Sequence, residues 1–151
     1  MEEENIFTVQ RPASHTDWET YHAIRKKNLF DPIDIVYDPN HPSLKDPKNH
    51  HYLFLMNGQI IGTLQLETLL NDTCIIRTLV IQDPYKKKGY GTLLLSLAEE
   101  ITKEFECRHI HLHSFPNVVA FYEKSGYTRM SFPIDESTYP GTVDLGKVLQ
   151  N

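Results

Sequence analysis

Residues Leu79–Leu95, with the sequence LVIQDPYKKKGYGTLLL, pass from an apolar segment through a basic, glycine-containing stretch directly into leucines. Pro84 is a poor residue for continuing a central strand, so we expect the apolar segment to end before it. After the glycines, apolar residues recur at the spacing of one helix face; they are Leu94, Leu97, Ala98, Ile101 and Phe105. The stretch therefore predicts a strand, a tight loop and a helix, in that order.

The predicted loop has the features of an anion-binding site. The start of a helix leaves N–H groups unpaired and carries roughly half a positive charge. Lys86, Lys87 and Lys88 add formal charge at the same end, and Gly89 and Gly91 let a ligand approach the backbone. The loop therefore predicts a phosphate or pyrophosphate site, with a solvated charge run as the alternative. It matches neither the P-loop pattern nor the three-glycine dinucleotide fingerprint.

The order Asp83-Pro84-x-Lys86-x-x-Gly89-x-Gly91 resembles the coenzyme A loop of the GNAT acetyltransferase superfamily, usually written Gln/Arg-x-x-Gly-x-Gly/Ala. Lys86 stands where that family commonly has Arg or Gln. The charge is kept but the side chain differs, so we expect the backbone contacts of the loop to matter more than Lys86 itself.

A second stretch, FYEKSGY at Phe121–Tyr127, is similar to the other signature of that family, Phe-Tyr-Glu-Lys-x-Gly-Phe/Tyr. An amphipathic helix pattern and a strand pattern separate the two motifs, as the family requires. The resemblance covers residues 52–131 well, and residues 6–30 and 142–149 only as a pattern. Asn117 lies two residues out of register with an asparagine that family members often carry ahead of this signature.

The resemblance implies one α/β (α+β) domain over residues 1–151. It would have a mixed central sheet of six to seven strands, splayed at the coenzyme-binding strands, with about four helices on both faces. We expect strands at residues 6–10, 51–56, 59–66, 74–81, 109–113, 127–132 and 142–149. Helices are expected from an N-cap at Ser14 or Thr16 through about Asn28, and over residues 91–105 and 116–125. A proline-rich loop is expected over 31–49, a type I′ turn at 57–58 and, between the last two strands, a linker containing Pro133 and Pro140.

The resemblance also implies how the chain would hold acetyl-CoA. In the family, the strand before the loop leaves main-chain groups free, and pantetheine adds to it like a short extra strand. By position those groups belong to Leu79 and Ile81, and the Leu79 N–H is the expected oxyanion donor to the thioester oxygen. The implied coenzyme-binding residues are Leu79, Val80, Ile81, Lys86, Lys87, Lys88, Gly89, Tyr90, Gly91, Thr92, Asn117 and Tyr122.

Tyr122 matches the family tyrosine that points at the coenzyme sulfur, and we expect it to act as the general acid. A phenol with a pKa near 10 stays protonated at neutral pH and can protonate a leaving thiolate with a pKa of about 8.5–9. The alternative is a packed helix tyrosine beside Phe121. Neither Cys74 nor Cys107 lies where a nucleophile is expected. Transfer is therefore predicted to be direct, in a ternary complex, without an acyl-enzyme.

The sequence leaves the general base open. Many family members carry a Glu on the strand before the coenzyme loop, where this chain has Ile75. In the predicted fold, the nearby groups that could act through a water are Glu67, Asp72, His111 and His113. An amine that enters already neutral would need no base.

Composition indicates a globular chain. Its 151 residues are 40% hydrophobic and 23% charged, enough for one core. No apolar run approaches the roughly 18–20 residues of a membrane span, and the acidic start Met1–Glu4 is unlike a secretory signal. Two cysteines without a disulfide framework favour a reducing compartment, so we expect a cytoplasmic protein.

Three other functions have to be weighed. His109, His111 and His113 alternate along a predicted strand and could hold zinc in a metal-dependent hydrolase; the coenzyme interpretation includes no metal. The domain could be an acyl-CoA-binding sensor or an inactive relative, although Tyr122 argues against this. The lysine loop could bind nucleic acid, but a net charge of −5 disfavours it.

The predicted partner is a small-molecule or peptide amine acceptor, which the sequence does not identify. We expect neither nucleic acid nor membrane partners. Because members of the family often dimerise, the resemblance suggests a homodimer.

Overall fold

The structure, a computed structural model, describes residues 4–131 and 141–150. Within them the strands are β1 (Phe7–Gln10), β2 (Asn49–Met56), β3 (Gln59–Thr68), β4 (Thr73–Ile81), β5 (His109–Ser114), β6 (Thr128–Arg129) and β7 (Val143–Val148). The α-helices of the described residues are α1 (His15–Arg25), α2 (Tyr90–Glu104) and α3 (Val119–Glu123). None of these helices is both long enough and apolar enough to cross a membrane.

The strands form one mixed sheet in the order β1-β2-β3-β4-β5-β7-β6. β4 and β5 are parallel and are joined through α2, while the other neighbours are antiparallel. α2 and α3 pack on one face, where Leu94 and Val119 belong to the main apolar core. α1 packs on the other face, with Tyr21 against Leu53 and Leu55. The predicted fold class is confirmed, and the two sides are called here the α2 face and the α1 face.

Local sequence signals explain where two of these elements begin. The Ser14 Oγ accepts from the Asp17 N–H at 3.0 Å, and the Asp17 carboxylate accepts from the Ser14 N–H at 3.3 Å. This capping box fixes the start of α1. Asn57 and Gly58 have φ angles of 52° and 82°, as the predicted type I′ turn between β2 and β3 requires.

Residues 4–131 and 141–150 contain three α-helices, fewer than the predicted four. Between α1 and β2 the described chain makes only short 3₁₀ turns, at Asp31–Ile33 and Pro42–Leu44. Prolines in that segment lack the N–H groups that an α-helix needs, which is why no further helix forms there. α1 itself ends at Arg25 and continues as a π-helical turn over Lys26–Phe30.

Two predicted elements near the end of the chain differ from the expectation. The predicted helix over 116–125 is a 3₁₀ turn at Pro116–Val118 followed by the short helix α3. The predicted strand over 127–132 pairs only at Thr128–Arg129. Phe132, Pro133 and Pro140 lie outside the described residues.

β4 separates from β5 halfway along its length. Among the described residues, Thr73–Ile76 of β4 pairs with His109–Leu112 of β5, and the pairing ends there. On its other side, β4 remains paired with β3 as far as Ile81. The register between β3 and β4 shifts by one residue at Arg77, which forms a β-bulge. The bulge bends β4 where the separation from β5 begins. The predicted splay is therefore present.

Gly62 on β3 allows the close approach of β3 and β4 next to this opening. A Cβ at Gly62 would lie 2.3 Å from the carbonyl oxygen of Val80. The register of β2 and β3 also shifts beside Gly62, between Phe54 and Leu55. Both observations are typical of a glycine inside a strand, which often marks a bulge or a close backbone contact.

Candidate functional site

The separated edge of β4 presents the main-chain groups of Leu79 and Ile81. The Gln82 N–H donates to the Ile61 carbonyl at 2.9 Å, so these two residues are a hydrogen-bonded pair of the ladder between β3 and β4. This pair determines which residues of β4 point their main-chain groups toward β3. In an antiparallel ladder every second residue turns its N–H and C=O toward the partner strand. Val80 therefore faces β3, whereas Leu79 and Ile81 face the side that β5 has left. A contact between Val80 and the coenzyme would have to come from its side chain.

The loop after β4 is open to solvent and presents unpaired N–H groups. Gly89 is the N-cap of α2 with a φ of 85°, and no side chain caps this helix. The first helical hydrogen bond runs from the Leu93 N–H to the Gly89 carbonyl at 3.2 Å. The N–H groups of residues 90–92 consequently have no acceptor within the helix. Lys87 also has a positive φ, 63°, and the side chains of Lys87 and Lys88 are exposed. This geometry suits an anion.

Lys86 differs from the two lysines that follow it. Its Nζ lies 2.8 Å from Asp83 Oδ1, and both side chains are exposed. The hydrogen bond and the charge of Lys86 hold the pKa of the Asp83 carboxyl below its ordinary value. Lys86 therefore forms an ion pair with Asp83, whereas Lys87 and Lys88 form no ion pair with a described residue. The coenzyme contacts predicted for these lysines stay predictions.

The two sequence motifs meet in space at the start of α2. A Cβ at Gly91 would lie 3.3 Å from Phe121 Cε1 and 3.9 Å from Ile81 Cγ1. The open end of β4, the first turn of α2 and the helix α3 therefore converge on one point. Gly91 has no Cβ at the place where α2 contacts the ring of Phe121, and a Cβ there would require that ring to shift by a few tenths of an ångström.

Tyr122 follows Phe121 on α3 and is half-buried at the margin of the main core, as is Leu79. Its ring packs against the rings of Phe121 and Tyr127, with centroids 5.0 and 5.8 Å away. Burial raises the pKa of Tyr122 to about 12, so the hydroxyl is protonated at any working pH. The position is compatible with the predicted general acid, a role that stays a prediction. Asn117 is exposed in the 3₁₀ turn before α3.

Among the four candidate bases, Asp72 and Glu67 are poorly placed. Asp72 precedes β4, where its carbonyl accepts from the N–H groups of Arg108 and His109, at the end of the strand far from the coenzyme loop. Glu67 Oε2 accepts from the Arg77 Nη2 at 2.8 Å and Nε at 3.1 Å. This ion pair is mostly buried, which commits the Glu67 carboxylate to Arg77.

The two candidate bases on β5, His111 and His113, have better positions. His111 packs beside Gly146 of β7, and burial lowers its pKa. His113 lies just beyond the last residue of β5 that pairs with β4, at the mouth of the opening. Its Nδ1 is 2.8 Å from Asp144 Oδ1, which orients the ring. Of the four candidates, His113 is the best placed to accept a proton from an amine.

The alternating histidines of β5 share one face of the sheet, as the sequence predicts, and this is the α1 face. They are half-buried, while the intervening Ile110 and Leu112 are buried in the main core. In the described part of the chain, no group of three or more His, Cys, Asp or Glu side chains could hold a metal ion. The structure thus gives no support to the alternative of a zinc hydrolase.

The cysteines are buried and lie side by side. The Cys74 and Cys107 Sγ atoms are 3.1 Å apart and are not joined by a disulfide. Burial raises the pKa of the Cys74 thiol to about 12, so a thiolate nucleophile is disfavoured. Both residues lie at the closed end of β4, away from the separated edge.

Sequence patterns missed two residues on the α1 face. Asp144 became relevant only through the pairing of β7 with β5, which places it opposite His113. Arg25 falls inside the helix predicted over residues 14–28 with no pattern that singles it out, yet only 6% of its surface is exposed. The available signal for Arg25 was the tyrosine one helical turn earlier, Tyr21, whose hydroxyl it contacts.

A splayed mixed sheet, a basic helix start beside the open strand and a tyrosine helix packed on that start give an α/β domain with the architecture that the resemblance to the acetyltransferases implies. Comparison with known proteins agrees. The chain belongs to the acetyltransferase (GNAT) family, whose model matches residues 6–127.

Relatives of known sequence or structure cover most of the chain. It is 29% identical to the uncharacterized protein YyaT of Bacillus subtilis (strain 168) over 101 residues, which are 67% of this chain and 68% of that protein. A structure from Lactobacillus plantarum, assigned to the N-acetyltransferases, is similar with a TM-score of 0.76, 25% identity and coverage of 95% and 99% of the two chains. The PaiA N-acetyltransferase of Thermoplasma acidophilum, solved in complex with coenzyme A, has a TM-score of 0.70, 16% identity and coverage of 95% and 99%.

Proposed function

We propose that the protein is an acetyl-CoA-dependent N-acetyltransferase, which moves an acetyl group from the coenzyme thioester directly to a primary amine in a ternary complex. The observation that carries this proposal is the convergence at Gly91. There, the open edge of β4 and the helix of Tyr122 both lie beside the uncapped start of α2. The family membership supports the same conclusion. A cytoplasmic location remains part of the proposal.

The described residues fit acetyl-CoA by the chemistry of their free groups. The N–H groups of residues 90–92 and the exposed side chains of Lys87 and Lys88 suit a pyrophosphate. The outward N–H and C=O groups of Leu79 and Ile81 suit an amide-bearing chain that adds to β4 as an extra strand. When bound, acetyl-CoA supplies the acyl group as an activated thioester.

Three residues then have assigned roles in the transfer. The Leu79 N–H donates to the oxygen on which negative charge develops as the amine attacks. His113, oriented by Asp144, accepts the proton that the amine loses. Tyr122 donates its hydroxyl proton to the departing thiolate. Because the side chains of His113 and Asp144 lie on the α1 face and Tyr122 packs into the α2 face, the acceptor and the coenzyme approach the opening from opposite sides.

Coenzyme binding tests the first part of the proposal. Calorimetric titration with acetyl-CoA should give stoichiometric binding, and the double variant Lys87→Glu/Lys88→Glu should bind at least about ten-fold more weakly because it reverses charge beside a pyrophosphate. The matched control is Lys45→Glu/Lys48→Glu, which makes the same charge change at two lysines before β2, outside the loop. Equal affinity of the two double variants would contradict the loop as the pyrophosphate site.

Turnover separates an enzyme from a sensor. A panel of primary amines should include amino acids, peptides, polyamines and aminoglycosides, with release of free coenzyme thiol as the measured signal. An acetyltransferase releases thiol only in the presence of an acceptor and acetylates that acceptor in a mass spectrum. Tight binding of acetyl-CoA with no acceptor-dependent release across the panel would favour the sensor.

A further inference from the structure

Arg25 is a buried cation at the end of α1, with only 6% of its surface exposed. Its Nη1 donates to the Tyr21 hydroxyl at 2.6 Å and to the Gln65 Oε1 at 2.7 Å. The guanidinium also lies over the rings of Tyr21 and Tyr37, 5.0 and 5.9 Å from their centroids. These partners hold the guanidinium between α1 and β3 on the α1 face of the sheet.

All of these partners are neutral. Within the described residues, no carboxylate forms an ion pair with Arg25. A buried charge without a counter-charge is costly, and proteins normally pair it. The C-terminal end of α1 and the two aromatic rings offset part of this cost. The site therefore carries an excess of positive charge in a place that water hardly reaches.

The Nε–H of the guanidinium is left without a partner. Nη1 has two protons, and Tyr21 and Gln65 take both. The Nε–H is buried and has no hydrogen-bond partner, and neither Tyr21 nor Gln65 accepts from Nη2. Burial raises the pKa of the Tyr37 hydroxyl, and the charge of Arg25 and a hydrogen bond with it act in the opposite direction, so Tyr37 is a further polar neighbour of the guanidinium. Nε and Nη2 together form a planar fork with the geometry of a carboxylate. Through this fork Arg25 can offer two parallel hydrogen bonds to an anion.

This fork lies next to the strand on which transfer is proposed to occur. Gln65, which holds Arg25, pairs with Thr78 of β4, the residue before Leu79. The hydroxyl oxygens of Thr78 and of Thr63 on β3 are also buried without a hydrogen-bond partner. These three polar groups lie on the α1 face, next to the separated edge of β4, where they can form hydrogen bonds with a polar ligand.

We propose that Arg25 binds a carboxylate of the acceptor through its Nε–Nη2 edge, so that the substrate class is amines that carry a carboxylate close to the amino group, as amino acids do. This rests on the proposed acetyl transfer. The carboxylate neutralises Arg25 and fixes the acceptor on the α1 face, with its amine directed at the opening beside Leu79. A polyamine lacks such a group and would place more positive charge next to Arg25.

Matched acceptors test the proposal. Each amino acid of a panel is compared with its carboxamide and with the amine that remains after decarboxylation, at saturating acetyl-CoA. We expect the best amino acid to have a kcat/KM at least ten-fold above both matched compounds. Arg25→Lys should raise the KM for that amino acid at least ten-fold and leave the KM for acetyl-CoA unchanged. Equal use of the three compounds by the wild type would overturn the proposal.

The control variant is Arg11→Lys. Arg11 also lies over a tyrosine ring, Tyr52, and donates to its hydroxyl, but it belongs to the segment before α1. This variant should keep the preference for the carboxylate. The same loss of preference in Arg11→Lys and Arg25→Lys would mean a general effect on the fold and would count against the proposal.

A spectroscopic measurement makes the test independent of turnover and of any variant. In the ¹H–¹⁵N spectrum of the wild-type protein, the buried Nε–H of Arg25 should give a resonance that shifts on titration with the preferred amino acid, and with each of the common amino acids if none is acetylated. The carboxamides should leave it in place. A resonance that no carboxylate moves overturns the proposal. Failure of acetyl-CoA to bind or react would instead contradict the proposed function, and the Arg25 titration would still stand.

Discussion

At the scale of single residues, Tyr122 is the side chain whose chemistry is most open to a direct test. Tyr122→Phe removes only the hydroxyl and keeps the ring that packs on Phe121 and Tyr127. We expect kcat to fall by about ten-fold or more, the usual contribution of a general acid, while the dissociation constant of acetyl-CoA hardly changes. Steady-state kinetics and calorimetric titration measure the two quantities.

Tyr127→Phe is the matched control for this change. Tyr127 packs on Tyr122, but its hydroxyl donates to Glu99 at 2.9 Å, so its loss should lower stability without lowering kcat. Because burial raises the pKa of Tyr122 to about 12, its deprotonation should cause no alkaline loss of activity in the wild type until that pH is approached. A Tyr122→Phe enzyme with unchanged kcat would remove Tyr122 from the mechanism.

At the scale of elements, the parts of the fold that could be predicted depend on local signals. The Asn57–Gly58 turn, the Ser14 cap and the strand–loop–helix unit around Gly89 each follow from a few neighbouring residues. The splay of β4 and β5 was known only through family resemblance. In the structure it coincides with the bulge at Arg77, which no sequence pattern marks.

The polar groups of the α1 face could not be predicted because their partners are distant in sequence. Arg25 meets Gln65, 40 residues away, and His113 meets Asp144, 31 residues away. Such pairs depend on the register of β3 and β7 in the sheet, which periodicity does not give. The candidate coenzyme site lies mostly within one continuous stretch, which is why its position was accessible from the sequence.

Gly62 provides a test of how the spacing of two elements supports the site. In Gly62→Ala the new Cβ would meet the Val80 carbonyl at 2.3 Å, a backbone atom that cannot move without displacing β4. We expect a loss of about 1–3 kcal/mol in the free energy of unfolding, as in other overpacked sites, together with weaker binding of acetyl-CoA at the adjacent Leu79 and Ile81. Urea denaturation and calorimetric titration measure these effects.

Gly58→Ala is the control for Gly62→Ala. Gly58 lies in the turn between β2 and β3 with a φ of 82°, and a Cβ added there would meet no atom within 4 Å beyond its chain neighbours. Its replacement should cost about 1 kcal/mol in backbone strain and leave acetyl-CoA binding unaffected. If both variants bound the coenzyme as the wild type does, the spacing of β3 and β4 would have no part in the site.

At the scale of the whole molecule, a buried polar chain links α1 to the sheet and makes stability depend on pH. The Arg25 Nη1 donates to the Tyr21 oxygen, and the Tyr21 hydroxyl, 2.6 Å from His51 Nδ1, donates to that nitrogen. His51 must therefore be neutral at Nδ1 for the chain to form. Burial, and next the charge of Arg25, lower the pKa of His51 from 6.5 to about 4. The arrangement that fixes α1 on the sheet thus depends on an unprotonated imidazole.

This pKa difference sets the direction of the pH effect. Between pH 6.5 and about 4 the unfolded chain binds a proton at His51 that the folded chain excludes, so the free energy of unfolding falls as the pH is lowered through this range. The full difference corresponds to a loss on the order of 3 kcal/mol.

Urea denaturation at closely spaced pH values measures how steeply the free energy of unfolding changes with pH. This slope should be smaller for His51→Gln, whose amide oxygen can still accept from Tyr21. His41→Gln, at an exposed histidine before a 3₁₀ turn, should keep the slope of the wild type. Identical slopes in His51→Gln and the wild type would show that another group carries the acid sensitivity, and that the chain from Arg25 through Tyr21 does not require a neutral His51.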